Sequence, residues 1–191
     1  MIKIKYFITA DTHFGHTNII KYCNRPFRNI NNMNYELVRR WNERVKSEDI
    51  VFFNGDFCFK GAAQNKSKYW EEQLNGKIIF IQGNHDRNNT TKTPIKNMEL
   101  FFGGREIFIT HRPKDFNSEI QLNLVGHIHE KWKIRRLWTG ELWVYLYNVG
   151  VDVHNFYPIT LKEAIDNFNK IRNTENVIIT SKRQLGIKDN G

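Results

Sequence analysis

The apolar run Ile78, Ile79, Phe80, Ile81 stops at Gln82 and gives way to Gly83, Asn84, His85 and Asp86. A run of this length broken by glycine reads as a short buried strand. The residues after it place three polar side chains at the carboxyl edge of a sheet, where open α/β folds hold their ligands. Gly-Asn alone would serve as a plain turn. Four other strand-like runs in the chain end on the same kinds of residue, however, and that repetition constrains the fold more than any single motif.

Ile2 to Ala10 reads as the first strand and delivers Asp11, Thr12, His13, Phe14, Gly15 and His16. Asp11 and His13, two apart just past a strand, can turn toward one point, as metal ligands must. His16, three further on, is a candidate substrate contact. Thr17 to Ile30 reads as a short helix followed by a loop, where Arg25 is placed to reach an anion beside the site. Asn32 to Ser47 is expected to be a covering helix, because Leu37, Val38, Trp41 and Val45 share one face. Asp49 to Phe53 returns as a strand and ends in Asn54, Gly55, Asp56. A helical spacing in Lys60 to Gln73 then leads into the strand at Lys77, giving a β-α-β-α-β order that argues for a parallel sheet with helices on its faces.

The second half is richer in strands. Glu99–Phe102 and Arg105–Thr110 flank Gly103-Gly104, a hairpin signal, and the second of them runs into His111 and Arg112. Gln121–Val125 ends in Gly126, His127, Ile128, His129. Trp132–Trp138 and Glu141–Val149 bracket Thr139-Gly140 as another hairpin. Thr160 and Glu163 form a capping box that opens a last helix with Leu161, Ala164, Ile165, Phe168 and Ile171 buried. From about residue 173 the chain reads as a polar tail with a short apolar run, Val177–Ile179.

With 191 residues, 40% of them hydrophobic, and no repeat or linker, a single domain over residues 1–191 is expected. Cys23 and Cys58 make no disulfide framework. The start, Met1 to Phe7, is too short and polar for a signal peptide, and no run approaches the roughly 18 apolar residues of a membrane span. A cytoplasmic protein without a membrane partner is therefore expected. The net charge of +9 favours anionic partners such as phosphate esters, nucleotides or nucleic acid, without choosing among them.

Five strand ends thus present Asp11 and His13, Asp56, Asn84 and His85, His111, and His127 and His129. Setting His85 aside leaves seven donors, four of them imidazoles. One catalytic ion rarely takes so many, since it must keep a position open. Two ions about 3.5–4 Å apart, sharing a carboxylate and a hydroxide, use the set without excess. Asp56, alone at the end of its strand, suits the shared position.

Together, Asp11-x-His13, Gly55-Asp56, Gly83-Asn84-His85-Asp86, the isolated His111 and Gly126-His127-Ile128-His129 resemble the signature of the calcineurin-like metallophosphoesterase superfamily, from Asp11 to His129. The stretch from Asp11 to His16 and the stretch from Asn148 to Asp152 resemble small single-domain phosphoesterases of bacteria and phages. The resemblance implies an α/β fold, a four-layer αββα sandwich of two mixed sheets flanked by helices. It also implies roles: one ion on Asp11, His13, Asp56 and His129, the other on Asp56, Asn84, His111 and His127, with His85 acting on the substrate and Asp86 orienting it.

The chemistry that follows is hydrolysis of phosphate mono- or diesters by a metal-bridging hydroxide, with His85 placed to protonate the leaving oxygen. Oxygen and imidazole donors suit Mn, Fe, Zn, Co or Ni, and manganese is the first choice by resemblance to bacterial relatives. Arg25, Arg87 and Arg112 lie in loops beside the motifs, where a guanidinium could grip a phosphate through paired hydrogen bonds. A nuclease acting on DNA or RNA with the same site is the main alternative. A non-catalytic scaffold on the same fold is the lesser one, since no ligand of the signature is missing.

Overall fold

The computed structural model describes residues 3–59, 67–86, 91–172, 178–181 and 183–185. Two sheets face each other. The first has the order β3-β2-β1-β9, from β1 (Tyr6–Thr9), β2 (Ile50–Asn54), β3 (Lys77–Ile81) and β9 (Ile159–Thr160). Its first three strands are parallel, and β9 runs antiparallel along the free edge of β1. The second sheet has the order β4-β5-β6-β8-β7, from β4 (Asn97–Phe102), β5 (Arg105–Thr110), β6 (Leu122–Val125), β7 (Ile134–Trp138) and β8 (Trp143–Asn148). Within it β5, β6 and β8 are parallel, while β4 and β7 are antiparallel edges.

Burial explains why the central strands read as unbroken apolar runs. Phe7, Val51 and Phe53 pack outward against Met33, Leu37 and Trp41 of α2 (Ile30–Arg44). The alternate residues Ile8, Phe52 and Ile81 face inward onto Ile107, Ile109, Leu122, Leu124, Tyr145 and Tyr147 of the second sheet. A strand covered on both faces has no polar side to show. α1 (Thr17–Tyr22) adds Ile19 and α3 (Ser67–Glu71) adds Trp70 to the outer cluster, and Phe14 stacks on that indole at 4.7 Å. Residues 60–66, where the helical spacing begins, lie outside the described residues, as do Met1, Ile2, Arg87 and Val177. α4 (Leu161–Ile171) starts with the expected capping box between Thr160 and Glu163. Its apolar face joins the core between the sheets, where Phe168 meets Tyr145 edge to face at 5.0 Å. On the far face of the second sheet, Val125, Leu137, Val144 and Leu146 are covered by Phe116, Trp132 and Leu185.

The expected two mixed sheets flanked by helices are present, and their arrangement positions the site. The parallel strands of each sheet finish on one common edge, where the sheets are tied together. The Asn54 side-chain amide donates across the gap to the carbonyls of Thr110 (2.9 Å) and Leu124 (3.3 Å). Ala10 also pairs with Gly150 just beyond β1 and β8. Among the described residues no helix is long and apolar enough to cross a membrane.

Candidate metal centre

The loops after β1, β2, β3, β5 and β6 turn their polar residues into one space. They do so through an unusual backbone: Asp11, His13, Asp56, His127 and His129 all have positive φ, between 48° and 72°. Non-glycine residues adopt this region seldom and at some cost in strain. Here it lets near neighbours such as Asp11 and His13 point to the same place, while Thr12 between them donates its hydroxyl to the Phe57 carbonyl at 2.7 Å.

Asp56 is central. Its Oδ1 accepts from the His85 N–H at 2.9 Å. Its Oδ2 lies 3.3 Å from His111 Nε2, 3.6 Å from His13 Nε2 and 4.0 Å from His85 Nε2. Burial works against its charge, but the neighbouring His111 and His13 hold this carboxyl well below the usual range. Asp11 is fully buried, and burial raises its pKa to about 6. Its Oδ2 accepts from the His127 N–H at 2.9 Å, whereas Oδ1 has no hydrogen-bond partner among the described residues. His13 Nε2 is likewise buried without a hydrogen-bond partner among the described residues, and burial holds the ring well below its ordinary pKa.

The remaining imidazoles are aimed by their second nitrogen. His111 Nδ1 donates to the Asn54 carbonyl at 2.8 Å, which leaves Nε2 facing Asp56 and, at 3.0 Å, Asn84 Oδ1. His129 Nδ1 is 3.0 Å from Asp152 Oδ2, so its Nε2 is the nitrogen left to ligate. Ligand atoms of Asp11, His13 and His129 lie within 4.8 Å of one another, and so do those of Asp56, His111 and His127. A third group, Cys23, His129 and Asp152, meets the same limit, but the Asp152 carboxylate is occupied by Arg25. Buried polar atoms left without partners are rare unless an ion or water completes them. Asp11 Oδ1 and His13 Nε2, beside an anionic Asp56, therefore fit a divalent cation.

The other expected residues fall as follows. His85 projects from the rim with its side chain 60% exposed. Asp86 is buried and acts as a brace: its carboxylate accepts from the N–H groups of Asp56 (2.8 Å), Gly83 (2.9 Å) and Phe57 (3.3 Å), tying the β2 loop to the β3 loop. Gly83 is required by this closeness, since a Cβ there would overlap the carboxylate and main chain of Asp56. His16 stands half buried at the rim, its ring stacked on Phe59 at 4.4 Å and 5.6 Å from that of His13. Arg112, half buried, lines the space beside Asn84 and His111. Arg87 lies outside the described residues.

Arg25 corrects the expectation of a substrate contact. It is buried, with Nε and Nη2 donating to the two oxygens of Asp152 at 2.8 and 2.9 Å. Its other bonds go to the carbonyls of Asp11 (2.7 Å) and Thr12 (2.9 Å) and to the Met33 sulfur (3.5 Å). With its donors so engaged it holds the ligand loops from behind. Asp152, Asn54 and Asn148 are the residues that sequence reasoning missed. Asn148 donates to the carbonyls of His129 (2.7 Å) and Trp132 (2.9 Å), fixing the loop that carries His127 and His129. A trace was present: Asn54 and Asn148 each end an apolar strand with a polar side chain.

Comparison with known proteins agrees with this geometry. An uncharacterized protein of Methanocaldococcus jannaschii is 36% identical over 162 residues, 82% of this chain and 87% of that one. A protein of unknown function from Aquifex aeolicus shares the fold with a TM-score of 0.65 at 21% identity, covering 87% of this chain and 100% of that chain. The profile of the calcineurin-like phosphoesterases matches residues 4–179. The chain that gathers its aspartates and histidines at the ends of these strands therefore belongs to the calcineurin-like phosphoesterase family.

Proposed function

We propose that the protein hydrolyses phosphate mono- or diesters with two divalent ions held in this centre, Asp56 being shared between them. The observation that carries this reading is the position of Asp56 Oδ2, 3.6 Å from His13 Nε2 on one side and 3.3 Å from His111 Nε2 on the other. When bound, such ions polarise phosphoryl oxygens and acidify a water. On this reading, Asp11, His13, Asp56 and His129 hold one and Asp56, Asn84, His111 and His127 the other. The donors are oxygen and imidazole, which suits manganese, iron, zinc, cobalt or nickel, and manganese is our first choice.

The chain's own residues supply the rest. His85 is tethered through its N–H to Asp56 Oδ1, so its exposed ring is held over the centre rather than within it. From there it can hydrogen-bond a phosphoryl oxygen and pass a proton to the leaving oxygen. Asp86 keeps that main-chain segment fixed, and Arg112 adds a cation at the same rim.

The test is metal analysis of manganese-loaded protein alongside hydrolysis of bis(p-nitrophenyl) phosphate. About two equivalents and metal-dependent turnover are expected for the wild type, with both reduced in Asp56→Asn. Saturation at one equivalent, with Asp56→Asn unaltered, would remove the shared carboxylate.

A further inference from the structure

Beside the group formed by Asp56, His111 and His127 opens a cleft of about 580 Å³. His127 is the wall it shares with the centre, and Arg112, Lys114, Lys131, Trp132 and Leu185 form much of the rest. Among the described residues no carboxylate lines it. Among the described residues none of its three cations takes part in an ion pair, although other arginines and lysines of the chain do. Like charges facing one space repel, and an anion placed between them relieves that repulsion. The half-buried Trp132 adds a flat apolar wall beside the cations.

We propose that this cleft binds the part of the substrate that flanks the reacting phosphate, and that this part is a nucleotide. Its phosphate is held by Arg112, Lys114 and Lys131, and its base lies against Trp132. Cations along the backbone with an aromatic for the base is the arrangement by which single-stranded nucleic acid is held. The volume falls within the roughly 300–1,000 Å³ of small-ligand sites, and the net charge of +9 adds a long-range pull on a polyanion. A phosphate monoester of a small alcohol would leave the cleft empty. The apolar lining, Pro113, Ile128, Trp132 and Leu185, is interleaved with three cations that a lipid tail would not use. The proposal rests on the phosphoester reading of the centre and narrows its substrate to a nucleotidyl phosphodiester.

Manganese-loaded protein is assayed on the trinucleotide pTpTpT and on bis(p-nitrophenyl) phosphate, which has no second phosphate. The quantity read is the ratio of kcat/KM for the first to that for the second. In Lys114→Ala/Lys131→Ala the ratio is expected to fall about ten-fold, mainly through KM for the trinucleotide. Trp132→Ala is expected to lower it about three- to ten-fold. Trp132 also packs in the outer cluster of the second sheet, so the lysine pair carries the test if that variant unfolds. Lys162→Ala, which removes an exposed cation of α4, should leave the ratio within about two-fold, separating the cleft from net charge. A ratio unmoved in the lysine pair, or lowered equally by Lys162→Ala, overturns the proposal. If wild type hydrolyses neither compound, the phosphoester reading fails, and anisotropy of fluorescent pTpTpT then decides the cleft alone. Weaker binding by the lysine pair supports it, and equal binding by all variants overturns it.

Discussion

His85 and Asp86 are adjacent in the chain but do different work: the ring of one is exposed at the rim, and the carboxylate of the other is spent on three main-chain N–H groups. His85→Ala is therefore expected to keep its metal and lose rate, by roughly 10²–10⁴-fold if proton transfer is its role. Metal analysis and single-turnover rates on the same preparation check this, and loss of metal would make His85 a ligand instead. Arg25 and Asp152 form a buried pair behind the ligands, with side chains 0% and 2% exposed. Removing one partner of such a pair leaves an uncompensated charge, so Arg25→Ala should lose about 3–5 kcal/mol of stability in urea unfolding. A substrate-binding arginine at the surface would cost almost nothing. Asp152→Ala removes the acceptor that orients His129 and should weaken metal binding about 10–100-fold in a direct titration.

At the scale of strands and loops, Asn54 joins the two sheets. Its side chain reaches the Thr110 and Leu124 carbonyls, and its own carbonyl accepts a hydrogen bond from His111 Nδ1. Asn54→Ala leaves two buried carbonyls short of a donor, a loss of about 1–3 kcal/mol each at most. Lower stability together with weaker metal binding is expected, and urea unfolding beside metal titration reads both. The strands that carry ligands were legible in the sequence because strands covered on both faces leave unbroken apolar runs such as Ile78–Ile81. The capping box of α4 and both glycine-marked hairpins were legible because their signals are local. What was hidden depends on contacts between distant parts of the chain. The Arg25–Asp152 pair spans 127 positions, and nothing near Arg25 distinguishes it from a solvated loop cation. The two-residue β9 is too short to show a period and exists because β1 offers it an edge. The positive φ of five ligand residues follows from the shape of the centre rather than from their identities. The aspartates and histidines that the structure gathers could be named from spacing and resemblance, whereas the braces behind them could not.

For the whole molecule, the centre couples proton binding, metal binding and folding. Burial lowers the pKa of His129 and His111, but hydrogen bonds to carboxylates outweigh it: Asp152 brings His129 up to about 10, and Asp56 brings His111 up to about 9. Both values exceed the ordinary 6.5. The stability these rings add is thus complete below about pH 6.5 and is lost as pH rises through about 9 to 10. Metal-free protein should show a falling Tm between pH 7 and 10, and metal-loaded protein a flatter one, because a ligating imidazole is neutral, with no proton on the nitrogen that binds the ion. Thermal unfolding with and without chelator tests this, and calorimetry in two buffers of different ionisation heat should detect proton release on metal uptake. The same centre has a mechanical consequence. Asp11, His13, Asp56 and Asn84 leave from the first sheet, and His111, His127 and His129 from the second. On the proposed reading, an ion gripped from both sides would be a clasp across the sandwich, closing a chain loop that runs from position 11 to 129. Stripped of it, that edge retains the amide of Asn54, the pairing of Ala10 with Gly150 and a few further hydrogen bonds between ligand loops. On the proposed reading the sheets would then part first at this end, so scarcity of the ion would shorten the life of the folded chain as well as silence it.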